Sequence, residues 1–135
     1  MAVPSCFVAA IAVLTLTLSA ALLETQAEET GVDAPVRALI TAMAAEDAEQ
    51  IRAQFSPDAT QAYGADGQMK SAAATARWLE SDIIGRNGKV VNPEYIINGN
   101  EVIVRGQFRS RGYSSEADFL FTVEHGLITS WRIRY

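Results

Sequence analysis

Tyr63, Trp78, Tyr95 and Tyr135 each combine a large apolar surface with one hydrogen-bonding atom, the combination that small-molecule pockets use. Phe108, Phe119 and Trp131 extend this set of pocket candidates. For each of them the competing reading is ordinary core packing. The ionisable residues offer less. His125 is the single histidine and stands beside Gly126 in a turn, where a solvated ring is the plain interpretation. Arg105, Asp118 and Arg132 can line up on adjacent strands, where a cross-strand ion-pair ladder is worth only about 0.2 to 1 kcal/mol per pair. One histidine, one cysteine and scattered carboxylates give no ligand spacing, so neither a metal nor any other cofactor is expected.

The elements that must position these side chains follow from periodicity. Asp33 and Pro35 open a helix in which Val36, Leu39, Ile40, Met43 and Ala44 share one face. Glu46-Asp47 interrupts it. Ala48, Ile51 and Phe55 predict a second short helix that Ser56-Pro57 stops. Ala59 to Tyr63 reads as a strand ended by Gly64-Ala65-Asp66-Gly67, and a third helix is predicted from about Lys70 to Ile84, with Ala74, Trp78, Leu79 and Ile83 on one side.

After Lys89 the pattern alternates. Strands are predicted at Val90 to Ile97, Glu101 to Arg109, Ser114 to Val123 and Leu127 to Tyr135. A turn at Arg111-Gly112 sets Val104 against Phe119, Val102 against Phe121 and Arg105 against Asp118. For the last hairpin, a two-residue turn would oppose Phe119 and Arg132, so a three-residue loop is preferred; it pairs Phe119 with Trp131, Ala117 with Ile133, Asp118 with Arg132 and Glu116 with Arg134. One face then carries Tyr95, Ile97, Val102, Val104, Phe108, Phe119, Phe121, Val123, Trp131, Ile133 and Tyr135, which the helices must cover. The reverse face mixes Glu94, Arg105, Gln107, Arg109, Glu116, Asp118, Arg132 and Arg134 with Ile96, Ile103, Leu120 and Ile128. Those four apolar residues form a patch through which a homodimer is expected.

The beginning of the chain is a different kind of segment. Phe7 to Leu23 is a 17-residue uncharged run, shorter than the roughly 20 residues of a membrane span and suited to a signal peptide. Thr25-Gln26-Ala27 supplies a cleavage site, although no Lys or Arg precedes Arg37; an uncleaved N-terminus is the only route to a membrane. The expectation is a signal peptide at residues 1–27, a flexible acidic lead-in at 28–32 and one domain at 33–135, secreted or periplasmic. Cys6 leaves with the signal, so the mature chain has no disulfide and no cysteine nucleophile. Loss of Glu24 leaves 15 acids against 11 bases, and a net negative chain is a poor nucleic-acid binder.

Two helices, a short strand, a third helix and a four-strand meander resemble the nuclear transport factor 2-like superfamily, in particular its SnoaL-like branch. Ala45-Glu46-Asp47-Ala48-Glu49-Gln50-Ile51, running into Phe55-Ser56-Pro57-Asp58-Ala59-Thr60, is similar to that family's passage into its first strand, and Val123 to Arg132 is similar to its closing hairpin. The resemblance implies an α+β cone, three N-terminal helices packed on a curved, mainly antiparallel sheet in the order α-α-β-α-β-β-β-β, with an open end for a small apolar molecule. It does not carry a mechanism. Where ketosteroid isomerase relatives place an aspartate base, this chain has Tyr63; their first-helix tyrosine has no counterpart, and the paired histidines of dehydratase relatives are missing. Epoxide hydrolase relatives use an Asp-Arg-Asp arrangement that Arg105, Asp118 and Arg132 resemble only loosely.

The readings that remain are a binding module for a small apolar or amphipathic molecule, an isomerase or lyase using Tyr63 or a pocket carboxylate such as Asp82, and a structural dimer with a filled cone. A pocket, if open, is expected to be aromatic and to lack a carboxylate-plus-base pair; two carboxylates, or one carboxylate and His125, converging at its mouth favour the enzyme reading. N-terminal sequencing of the exported product is expected to begin near Glu28; a product that retains residues 1–20 contradicts the signal peptide.

Overall fold

The computed structural model describes residues 31–134; the expected signal peptide and Tyr135 lie outside the described residues. Helix α1 (Ala34–Ala45) starts with Pro35 in its first turn, where proline's missing N–H is no loss. Asp33 caps through its position rather than its side chain, because its carboxylate receives the Arg37 Nε at 2.5 Å. That hydrogen bond holds the Asp33 carboxyl below the usual range. Val36, Leu39, Ile40 and Met43 are buried, as the spacing predicts. Helix α2 (Ala48–Ala53) is capped by Asp47, whose side chain accepts from the Gln50 amide.

Phe55 was expected to continue α2 but opens strand β1 (Phe55–Tyr63). Ser56 precedes Pro57 and is driven out of the helical region, and the Gln54 carbonyl already accepts a sheet hydrogen bond from the Ile128 amide at 2.8 Å. Pro57 is tolerated because β1 is an edge strand. The third helix also departs from expectation. An α-helix, α3 (Ala72–Trp78), is followed by a π-helical segment over Leu79–Ile84, with the Gly85 amide donating to the Glu80 carbonyl at 2.8 Å. The wider turn lets Leu79 and Ile83 stay in the core while Asp82 faces a cavity.

Strands β2 (Lys89–Asn98), β3 (Glu101–Ser110), β4 (Tyr113–Glu124) and β5 (Leu127–Ile133) complete a five-stranded mixed sheet in the order β1-β5-β4-β3-β2. Strand β1 runs parallel to β5 and the other pairs are antiparallel. The helices and this sheet give the expected α+β architecture. The β3–β4 register is the expected one, with Val102 opposite Phe121, Val104 opposite Phe119 and Arg105 opposite Asp118. In β2 the pairing skips from Val91 to Glu94, and Asn92 has φ 53°, a bulge of the kind that bends a sheet. Gly106 lies against it, where a Cβ would come within 2.8 Å of the Val91 carbonyl oxygen.

The β4–β5 hairpin corrects the expected register. His125 and Gly126, with φ 52° and 78°, form a two-residue turn that pairs Glu124 with Leu127 and Val123 with Ile128. Two positive φ values match the strand twist at such a turn. An irregularity between Thr122 and Val123 then restores the parity, so Phe121 faces Trp131 and Phe119 faces Ile133, not Trp131. Ile128, assigned to the reverse face, is therefore fully buried, and the outer apolar patch is reduced to Ile96, Ile103 and Leu120. Arg132 stands opposite Leu120 and not Asp118; Asp118 is bonded by Arg134 at 2.8 Å, with Arg105 at 4.0 Å. Ile97, expected in the core, is 49% exposed near the tip of the β2–β3 hairpin.

Trp131, Phe121, Leu39, Met43, Ile128 and Val36 are among the largest fully buried side chains. Leu39→Ala is expected to lower the unfolding free energy by about 2 to 5 kcal/mol, and Ile97→Ala by no more than about 0.5 kcal/mol. Urea denaturation of the two variants compares them directly; equal losses would contradict the assigned core.

Candidate functional site

Tyr63 ends β1, and its setting is fixed by the loop that follows. Gly64 turns the chain with φ 84°, and at Gly67 a Cβ would overlap the Tyr63 carbonyl at 1.8 Å. Arg132 reaches from β5 to donate to both the Gly64 and Gly67 carbonyls at 2.8 Å. Lys70 bonds the buried Gln61 side chain at 2.6 Å and places its ammonium 4.4 Å from the centre of the Tyr63 ring. A run of residues that reads as a plain turn thus anchors one wall of a site.

That wall faces a cavity of about 210 Å³ between the end of β1, the π-helical segment and the β3–β4 hairpin. Tyr63, Trp78, Phe108, Tyr113 and Phe119 supply its aromatic lining, and Asp82, Arg86, Glu116 and Arg134 its charges. Phe108 packs on Phe119 with ring centres 5.8 Å apart and on Tyr113 at 6.3 Å. On the other side the Trp78 indole N–H donates to the Tyr63 hydroxyl at 2.6 Å, the Tyr63 hydroxyl lies 3.5 Å from an Asp82 oxygen, and Ser81 donates to the other Asp82 oxygen at 2.8 Å. Arg134 has one nitrogen on Asp118, while its buried Nε has no hydrogen-bond partner among the described residues.

The arrangement can hold a flat molecule against rings, meet an acidic oxygen with arginine, and exchange a proton through Asp82 or Tyr63. Of the residues singled out from the sequence, Tyr63, Trp78, Phe108 and Phe119 come together here. Trp131 does not line this cavity but a second one, on the other side of Trp78. Tyr95 lies elsewhere, with the Arg37 guanidinium 4.0 Å from its ring centre; burial pushes its phenol up. Tyr135 lies outside the described residues.

Tyr113, Arg86, Glu116 and Arg134 were not anticipated as lining residues. Sequence alternation puts Glu116 and Arg134 on the reverse face, yet both line the cavity, so the pocket contains two carboxylates, Asp82 and Glu116, and is not purely aromatic. In the sequence Tyr113 reads as a turn residue. Its position opposite Ser110, at the same hairpin end as Phe108, was the available signal. Among the described residues there is no cluster of three potential metal ligands and no helix long and apolar enough to cross a membrane.

Solved structures place the architecture among NTF2-like folds. An NTF2-like protein of unknown function from Cytophaga hutchinsonii superposes with a TM-score of 0.64 at 18% identity, covering 78% of this chain and 89% of that one. A Xanthomonas campestris protein provisionally described as a polyketide cyclase gives 0.62 at 18% identity, with 77% and 89% covered. TerC, co-crystallised with polyporic acid, gives 0.58 at 20% identity, with 77% and 90% covered. No curated protein matches the chain. The family profile described as SnoaL-like domain matches residues 36–131, and the chain belongs to that family.

Proposed function

We propose that this is an exported binding domain that takes a small, flat, amphipathic molecule with an acidic oxygen into the cavity lined by Tyr63, Phe108 and Tyr113. The observation that carries the reading is the pairing of an aromatic wall with Arg86 and Arg134 in one cavity. Rings recognise a planar apolar body, and guanidinium groups recognise an oxyanion. TerC, co-crystallised with polyporic acid, shares the fold, which agrees with an acidic ligand. Export is supported by the uncharged run from Phe7 to Leu23.

A second reading is supported by the hydrogen-bonded chain from Trp78 through Tyr63 to Asp82. A carboxylate beside a phenol with a fixed orientation can serve as general base and acid for a proton transfer of the isomerase or lyase type.

The binding reading is tested by titrating 2-naphthoate and neutral 2-naphthalenemethanol into the protein by calorimetry. The anion is expected to bind more tightly, and Arg86→Gln to weaken it about three- to tenfold while leaving the alcohol unchanged. Equal binding of both probes to wild type, or no binding of either, contradicts the proposal. The proton-transfer reading is tested with a cyclic 1,3-diketone in D2O. Exchange at its acidic C–H is expected to be accelerated by wild type and to fall about 100-fold in Asp82→Asn, with binding retained; exchange at the buffer rate in wild type contradicts it.

A further inference from the structure

A second cavity, of about 350 Å³, opens between α3 and the β1 edge of the sheet. Phe55, Pro57, Ala59 and Leu79 make most of it apolar. Two atoms break the pattern. Trp131 Nε1 and Thr75 Oγ1 are buried and have no hydrogen-bond partner among the described residues, although their residues, 1% and 5% exposed, both belong to the cavity wall. Buried polar atoms are nearly always satisfied, and each exception asks for a reason. An indole N–H can only donate, so its missing partner is an acceptor. A helical threonine commonly gives its hydroxyl to the carbonyl one turn back, and Thr75 does not.

Charge at this cavity is already spent. Arg52 and Glu80 on its rim bond each other through two contacts of 2.7 Å, so neither is left over to select a charged guest. This contrasts with the unevenly paired arginines of the first cavity. Trp78 stands between the two spaces and lines both.

We propose that this cavity is a second ligand site, for a small neutral apolar molecule carrying one oxygen acceptor, such as a ketone. The two donors lie behind the cavity surface, so the Trp131 and Thr75 side chains shift slightly to give their N–H and O–H to the guest's oxygen, while its apolar body fills the space against Phe55, Pro57 and Leu79. Its volume is at the lower end of the roughly 300 to 1,000 Å³ of small-molecule sites.

The chain has two tryptophans, hence two indole N–H resonances, which Trp78→Phe assigns. Cyclohexanone titrated into the full chain is expected to move the Trp131 indole proton downfield in a saturable way. Thr75→Val is expected to weaken this binding about three- to tenfold. Ala72→Leu, which fills the cavity, is expected to weaken it at least about tenfold while 2-naphthoate binding at the first cavity is unchanged. Ala76→Leu serves the same purpose should Ala72→Leu fail to fold. The proposal is overturned if cyclohexanone leaves the Trp131 signal in place, if the shift survives a folded cavity-filling variant, or if the perturbation is confined to Tyr63 and Tyr113. A long-lived water seen at the Trp131 indole and not displaced by the ketone overturns it as well.

Discussion

The indole of Trp131 meets Trp78, Phe119, Phe121 and Phe55, with ring centres 4.8 to 6.1 Å apart. This contact set ties β1, β4, β5 and the end of α3 into one aromatic core. The contacts with Trp78 and Phe119 are edge-on and that with Phe55 is stacked, arrangements that aromatic quadrupoles favour when offset. Because Trp78 stands nearly perpendicular to Trp131, at 88°, it becomes a partition with a cavity on each side. Remove the Trp131 ring and Trp78 loses the surface that sets its angle, and with it the hydrogen bond that orients Tyr63.

The two cavities differ in how their polar groups are satisfied. In the first, Tyr63 receives the Trp78 N–H, Asp82 receives Ser81, and Arg134 keeps a buried Nε in reserve. In the second, the rim charges neutralise each other and the interior donors stand alone. Selectivity in such sites comes from the polar groups, because apolar walls discriminate weakly among bodies of similar size. A fold shared by proteins with diverse roles leaves these local differences to decide function.

Conformational economy also shapes the site. The π-helical segment inserts extra backbone where Leu79 and Ile83 must face the core and Asp82 the opening, a device often found at functional positions. Bulges in β2 and at the β4–β5 pairing do the same for the sheet, bending it and resetting which side chains face inward.

Period and local chemistry determined much of this in the sequence. The burial of Val36, Leu39, Ile40 and Met43 follows from helical spacing, and the β3–β4 register follows from matching apolar residues around Arg111-Gly112. Order of elements and local motifs pointed to the family, and Tyr63, Trp78, Phe108 and Phe119, picked out by residue type, line one cavity. Tertiary structure alone decided the rest. A two-residue turn followed by a bulge gives the same facing parity as a three-residue loop over most of β5, so sequence parity could not tell Phe119 opposite Trp131 from Phe119 opposite Ile133. It could not place Ile128 inward, since that depends on where along the strand the bulge falls. Arg86, Tyr113 and Arg134 lie on separate elements, each an unremarkable surface or turn residue in its own segment. Their convergence is a property of how the hairpin, the π-helical segment and the last strand pack together, which no local pattern records.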